Sequence, residues 1–120
     1  MSALAPDPAL VILVVEDEPL VRLVAAEALR DEGFTVYEAA DASEALDLFE
    51  DHQEVGVVFT DIDMPGMSGL ELADEIHRRR PTVRCLLTSG RPRRLPAGDP
   101  FLPKPYSPSR LGAAIRGRAA

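Results

Sequence analysis

Apolar residues recur along the chain in two rhythms. Short unbroken runs of Val, Ile and Leu alternate with longer stretches in which apolar positions return every three or four residues. The first rhythm marks strands buried on both faces, the second amphipathic helices. Leu10 to Val15 is too short for a helix and predicts a first strand. Pro19 suits the opening turn of a helix. Leu20, Leu23, Val24 and Ala28 follow at helical spacing and Gly33 stops the pattern, which predicts a helix over about Pro19–Glu32. Phe34 to Tyr37 reads as a second short strand. Asp41-Ala42-Ser43-Glu44 is a capping-box pattern and opens a helix over about Ala42–Asp51, with Ala45, Leu46 and Phe49 inward. Val55–Thr60 is the third strand. Ser68 or Gly69 starts a third helix, with Leu70, Ala73 and Ile76 on its apolar face and Leu72 alongside. His77-Arg78-Arg79-Arg80 complements the dipole at its end, and Pro81 terminates it. Val83–Thr88 is a fourth strand, and Phe101-Leu102-Pro103-Lys104-Pro105 is a fifth with its exit. Ser107-Pro108 pairs an N-cap with Pro at the first helical position. The helix it opens has an apolar face of Leu111, Ala114 and Ile115, with Arg110, Arg116 and Arg118 on the polar side.

Alternating strands and helices predict an α/β domain: a doubly wound sheet of five parallel strands spanning residues 10–118, after a loose, disordered tail at 1–9. One stretch breaks the rhythm. Only eleven residues, Gly90 to Pro100, separate Ser89 from Phe101. A parallel crossover needs about a dozen or more, usually with a helix. Pro92, Pro96 and Pro100 each remove a helical donor, and Gly90 and Gly98 weaken a helix further. A helix here is expected to be absent or cut to a single turn, the alternative being a short helix over Arg93–Ala97. Without that cover, Leu86, Leu95 or Leu102 is expected to reach the surface. Arg91, Arg93 and Arg94 make the stretch basic, and the Pro/Arg loop is an expected partner surface.

Composition narrows the function. Apolar residues are 46% of the 120, aromatics only 5%, and Trp is absent, so the core is aliphatic. A net charge of −7 argues against direct binding of nucleic acid or an anionic membrane. The cluster at His77–Arg80 is too small to reverse that balance. No stretch approaches the ~18 apolar residues of a membrane span. The N-terminus lacks a basic start and long apolar segment, so a reducing cytoplasm is expected. Cys85 lies in an apolar run and reads as a small hydrophobe. His52 reads as a solvated residue at a helix end.

The chemistry gathers at strand ends. The first strand ends in Glu16-Asp17-Glu18, the third in Asp61-Ile62-Asp63, the fourth in Thr88-Ser89 and the fifth in Lys104. In a parallel sheet these ends share one edge, the edge where ligands bind. Carboxylates from two strands form a hard oxygen cluster suited to Mg²⁺. A Lys and a hydroxyl can hold phosphoryl oxygens, and a carboxylate can itself accept a phosphoryl group.

Those residues carry a resemblance. The chain resembles the receiver domain of bacterial two-component response regulators, a flavodoxin-like fold, over about residues 10–118. The matching stretches are Val14-Val15-Glu16-Asp17-Glu18-Pro19, Thr60-Asp61-Ile62-Asp63-Met64-Pro65-Gly66-Met67-Ser68-Gly69, Thr88-Ser89-Gly90 and Phe101-Leu102-Pro103-Lys104-Pro105. The resemblance implies that Asp61 accepts a phosphoryl group from a phosphohistidine. It implies that Glu16, Asp17 and Asp61 surround Mg²⁺, with Asp63 giving its backbone carbonyl. It makes Ser89, rather than its neighbour Thr88, the hydroxyl that moves onto the phosphoryl oxygens. Lys104 would be their cation and Phe101 the switch aromatic, and the Lys104–Pro105 bond is expected to be cis. The implied partners are a sensor histidine kinase or a histidine phosphotransfer protein and a downstream protein, with a homodimer also allowed. No DNA-binding domain or other output domain follows residue 120, so the expected form is a stand-alone switch signalling by phosphorylation-dependent binding, not an enzyme on external substrates. Two other readings compete. Phosphatases of the haloacid dehalogenase type also use Asp-x-Asp after a strand. They place it on the first strand and follow it with Thr or Val where this chain has Pro65. A pseudo-receiver that binds without phosphorylation would not need the intact acidic pair, Asp61 and Lys104.

Overall fold

The computed structural model describes residues 10–91 and 100–117. Five short strands, β1 (Val11–Val15), β2 (Thr35–Ala39), β3 (Val57–Asp61), β4 (Arg84–Ser89) and β5 (Phe101–Pro103), form one parallel sheet in the order β2-β1-β3-β4-β5. Four helices are described: α1 (Pro19–Asp31), α2 (Ala42–Asp51), α3 (Gly69–Arg79) and α4 (Pro108–Ile115). This is the doubly wound α/β fold expected from the alternation, and the flavodoxin-like fold that the resemblance implies. The expected loss of a helix between β4 and β5 falls on residues 92–99, outside the described residues, as do Leu95, the tail at 1–9 and Arg118.

The aliphatic runs form strands because both sheet faces are covered. Every residue of β1 and β3 is buried. Side chains alternate between two cores, as the strand period requires. Leu13, Val15, Val58, Cys85 and Leu87 pack with Ala45 and Phe49 of α2 and Leu72 and Ile76 of α3. Ile12, Val14, Phe59, Leu86 and Leu102 pack with Ala25, Ala26 and Leu29 of α1 and Leu111 and Ile115 of α4. Leu86 and Leu102 therefore do not reach the surface: they are 1% and 4% exposed, covered by α1 and α4.

Caps hold the helix ends that frame the upper edge of the sheet. Asp41 Oδ1 accepts from Glu44 N at 2.8 Å, and Ser68 and Glu71 form a reciprocal capping box. Ser107 Oγ accepts from Arg110 N at 3.2 Å. At the other end of α4, the Arg84 guanidinium donates to the carbonyls of Ala114 at 3.1 Å and Ile115 at 2.5 Å.

The inward face of α1 differs from the aliphatic row in the sequence. Ala25, Ala26 and Leu29 are the buried positions, whereas Leu20, Leu23 and Val24 are 70%, 47% and 57% exposed. Small alanines let α1 lie close to the sheet, and the larger aliphatics are left on its outer side.

Candidate functional site

Register brings the polar strand ends to one level. Val15 pairs with Thr60, Asp61 with Thr88, and Ser89 with Pro103. The residues just beyond these pairs, Glu16 and Asp17 after β1, Asp63 after β3 and Lys104 after β5, therefore surround the C-terminal edge, where β4 ends in Thr88 and Ser89. The order reverses between β1 and β3, the switch point at which open α/β sheets bind ligands.

Glu16, Asp17 and Asp61 each place a carboxylate oxygen within 4.8 Å of the other two. Glu16 and Asp61 are buried, at 3% and 5% exposure, and Asp17 is half-buried. Lys104 Nζ lies 2.7 Å from Glu16 Oε1 and 3.5 Å from Asp61 Oδ2. It is the only lysine in the chain. Glu18 N donates to Glu16 Oε2 at 3.2 Å, and the Arg22 guanidinium donates to the Glu16 carbonyl at 2.8 Å. The Lys104–Pro105 bond is cis.

Burial, reinforced by the Asp61 charge, raises the Glu16 carboxyl above its usual range, against the pull of Lys104 and the Glu18 amide. For Lys104 burial acts downward, but the Glu16 hydrogen bond and the charges of Glu16 and Asp61 outweigh it and raise the ammonium. Among the described residues one half-buried cation, Lys104, faces three carboxylates, so the site carries excess negative charge that a hard cation would offset. Carboxylate oxygens from adjacent strand ends are the donor type and number that Mg²⁺ accepts while keeping waters.

Ser89, 1% exposed, donates its hydroxyl to Asp63 Oδ2 at 2.5 Å and accepts from Arg91 N at 3.0 Å. Asp63 N lies 3.4 Å from Asp61 Oδ1. Thr88, the alternative hydroxyl, is also buried, and its Oγ1 has no hydrogen-bond partner among the described residues. Phe101 is half-buried against the core under α2 and α3. The structure thus gathers Glu16, Asp17, Asp61 and Lys104 directly, sets Asp63 and Ser89 beside them, and leaves Thr88 and Phe101 at the margin.

Three contributors were not singled out for the site by sequence. Tyr106 packs edge-on against Phe59, with ring centroids 5.6 Å apart. Its hydroxyl is pushed up to about 12, by burial first and then by the charges of Glu16 and Asp61. Its position two residues after Lys104 was the available signal. Arg22 lies one turn beyond the acidic run and anchors the Glu16 carbonyl. Gly69 donates its N–H to the Ile62 carbonyl at 3.0 Å and sits so close to the Asp61 backbone that a Cβ there would lie 2.9 Å from Asp61 C and Ile62 Cα.

The exposed aliphatics of α1 adjoin this edge. Leu20, Val21 and Val24 form one wall of an open cleft whose other wall is Gly90, Lys104, Pro105 and Tyr106.

Comparison with known proteins gives a consistent picture. Residues 12–116 match the model of the response regulator receiver domain family. The chain is 38% identical to the sensor kinase CckA of Brucella abortus over 113 residues, which is 88% of this chain and 12% of that protein. It is 39% identical to the transcriptional regulatory protein PdtaR of Mycobacterium tuberculosis over 111 residues, 87% of this chain and 54% of that one. The chain therefore spans about half the length of PdtaR and a small part of CckA. Among solved structures, the receiver domain of the hybrid histidine kinase CckA superposes with a TM-score of 0.78 at 36% identity, covering 89% of this chain and 96% of that one. Response regulator TrrA of Thermotoga maritima, in complex with Mg²⁺ and BeF, gives a TM-score of 0.82 at 30% identity, covering 90% and 97%. No described helix is long and apolar enough to cross a membrane. Fold, strand-end constellation and family match agree, and this chain belongs to the response regulator receiver domain family of two-component signalling.

Proposed function

We propose that Asp61 is the phosphoacceptor of a cytoplasmic signalling switch, loaded by a histidine kinase or histidine phosphotransfer protein and read by phosphorylation-dependent protein binding. The observation that carries this reading is the buried Asp61 carboxylate at the end of β3, with Glu16 and Asp17 oxygens within 4.8 Å and Lys104 Nζ at 3.5 Å. An Asp61 oxygen attacks phosphorus, a P–O bond forms, and the P–N bond to the donor imidazole breaks. The imidazole nitrogen keeps the electron pair and takes a proton from solvent. Mg²⁺ held by Glu16, Asp17 and Asp61, with the Asp63 carbonyl as a further ligand, would supply charge neutralisation for the phosphoryl oxygens. Lys104 gives those oxygens a fixed positive partner without reorganisation. Burial of Asp61 keeps bulk water from the acyl phosphate. The chain acts on its own carboxylate and turns over no external ester.

The donor docks on the outer side of α1. Its phosphoimidazole has to reach Asp61, and the cleft beside Lys104 is walled by Leu20, Val21 and Val24. A protein covering the site edge therefore also covers the exposed Leu20 and Val24.

Mass spectrometry after mixing with Mg²⁺ and acetyl phosphate tests the assignment. One phosphoryl group is expected on the wild type and none on Asp61→Asn. Full labelling of the variant at another residue would overturn it.

A further inference from the structure

Ser89 is the last residue of β4 and its hydroxyl carries one proton. That proton is committed to Asp63 Oδ2 at 2.5 Å. The hydroxyl oxygen itself, Ser89 Oγ, accepts the Arg91 amide at 3.0 Å, and the Ser89 carbonyl accepts Lys104 N at 3.0 Å. Ser89 thus ties three things together: the residue two beyond Asp61, the backbone leaving β4, and the backbone carrying Lys104.

We propose that the Asp63 carboxylate is a latch, a positioning residue that holds the Ser89 hydroxyl in the resting state and competes with a phosphoryl group on Asp61 for its proton. The inference rests on Asp61 being the phosphoacceptor. A single O–H cannot serve two anions. Bonds from a hydroxyl to a carboxylate are short and about twice as strong as neutral ones, so Ser89 gives up a strong partner when it turns to the phosphoryl oxygens. A phosphorylated Asp61 carries about 1.5–2 negative charges in place of the single charge of its carboxylate, at a residue whose Oδ1 lies 3.4 Å from the Asp63 amide nitrogen. It repels the Asp63 carboxylate while offering Ser89 a better acceptor. When the hydroxyl leaves, the Arg91 amide loses its acceptor as well, so breaking one side-chain bond frees the backbone at the start of the segment leading to β5. The Asp63 charge therefore sets how much of the binding energy of the phosphoryl group goes into switching.

Beryllofluoride, a phosphoryl analogue, tests the latch at saturating Mg²⁺, with bound ligand counted by ¹⁹F NMR. Asp63→Ala should bind it about tenfold more tightly than wild type, the factor a charge-assisted bond carries. Asp63→Asn keeps the shape and a neutral acceptor, and should fall between the two. In a Ser89→Ala background the gain from Asp63→Ala should shrink to about threefold or less, the remainder being charge repulsion alone. Without beryllofluoride, the Arg91 amide signal of Asp63→Ala should already be displaced toward its position in the bound wild type. A purely structural role for Asp63 would not move it along that line. Equal affinity of wild type and Asp63→Ala, or the same gain with and without Ser89, overturns the latch alone. Failure of the wild type to bind beryllofluoride overturns the phosphoacceptor reading together with it.

Discussion

Gly69→Ala is the sharpest test of how tightly the backbone holds Asp61. The added Cβ would lie 2.9 Å from Asp61 C and Ile62 Cα, and closer still to the Asp61 carbonyl oxygen. Carbon atoms at van der Waals contact sit about 3.5–4.0 Å apart, so the backbone has to yield by at least about 0.6 Å. Little nearby can give. Gly69 N is bonded to the Ile62 carbonyl at 3.0 Å, the Ser68–Glu71 box fixes the first turn of α3, and Thr60 Oγ1 donates to the Asp61 carbonyl at 3.0 Å. Overpacking of this kind costs about 1–3 kcal/mol, and alanine returns up to about 1 kcal/mol through its better helix propensity. The net loss of about 1–2 kcal/mol corresponds to a fall of about 4–8 °C in Tm for a chain of this size. The acceptor moves as well, and misplacement approaching 1 Å costs up to about a hundredfold in rate. Thermal melts and the initial rate of labelling by acetyl phosphate read the two effects separately. Gly56→Ala, whose Cβ would meet only Leu10 Cδ1 at 3.8 Å, is the matched control and should change neither. A Gly69→Ala protein that melts within about 2 °C of wild type and labels at the same rate would refute the argument.

Three further outcomes follow from the geometry. Mg²⁺ at ten times its dissociation constant should add about 1.4 kcal/mol by mass action, raising Tm by about 5 °C, and Asp17→Ala should lose most of that response in the same melts. Leu20→Ala/Val24→Ala should leave labelling by acetyl phosphate unchanged but slow transfer from a phosphorylated donor protein by about tenfold or more, since each side chain forgoes about 1–2 kcal/mol of apolar burial. In metal-free protein the Tyr106 hydroxyl, raised from 10.0 to about 12, contributes stability that is complete below pH 10 and lost as pH climbs through about 12. After allowance for its partial exposure the loss is about 1–2 kcal/mol, and urea melts of Tyr106→Phe should be flatter across that window.

The site was more legible than the surface around it. Glu16, Asp17 and Asp61 could be found because they end or follow β-branched runs, and Lys104 because it follows the short apolar Phe101-Leu102-Pro103; parallel strands align such ends without further information. Strand boundaries shifted by a residue or two. Val55 and Gly56 precede β3, and β2 continues to Ala39, because neighbouring strands decide where pairing starts and stops. The face of α1 was not legible. A 3.6-residue period marks a helix, but α1 carries aliphatics around much of its circumference, and close packing selected Ala25 and Ala26 over Leu20, Leu23 and Val24. Gly69 was equally silent, since its role is the proximity of Asp61, eight residues earlier. The Asp63–Ser89 hydrogen bond joins residues 26 apart and depends on the path of the loop after β3, which no local pattern encodes.

That Lys104 is the only lysine has a practical consequence for probing the protein. Apart from the terminal α-amine, an acylating reagent finds a single target, and it is the ammonium held against Glu16. Proton retention there makes the group a poor nucleophile at neutral pH, so its acylation rate becomes a footprint of the salt bridge in a single peptide. A bound anion or a docked partner would change that rate with no engineered label. By the same token, an amine-reactive cross-linker anchored on this side chain captures only what approaches the phosphoacceptor edge.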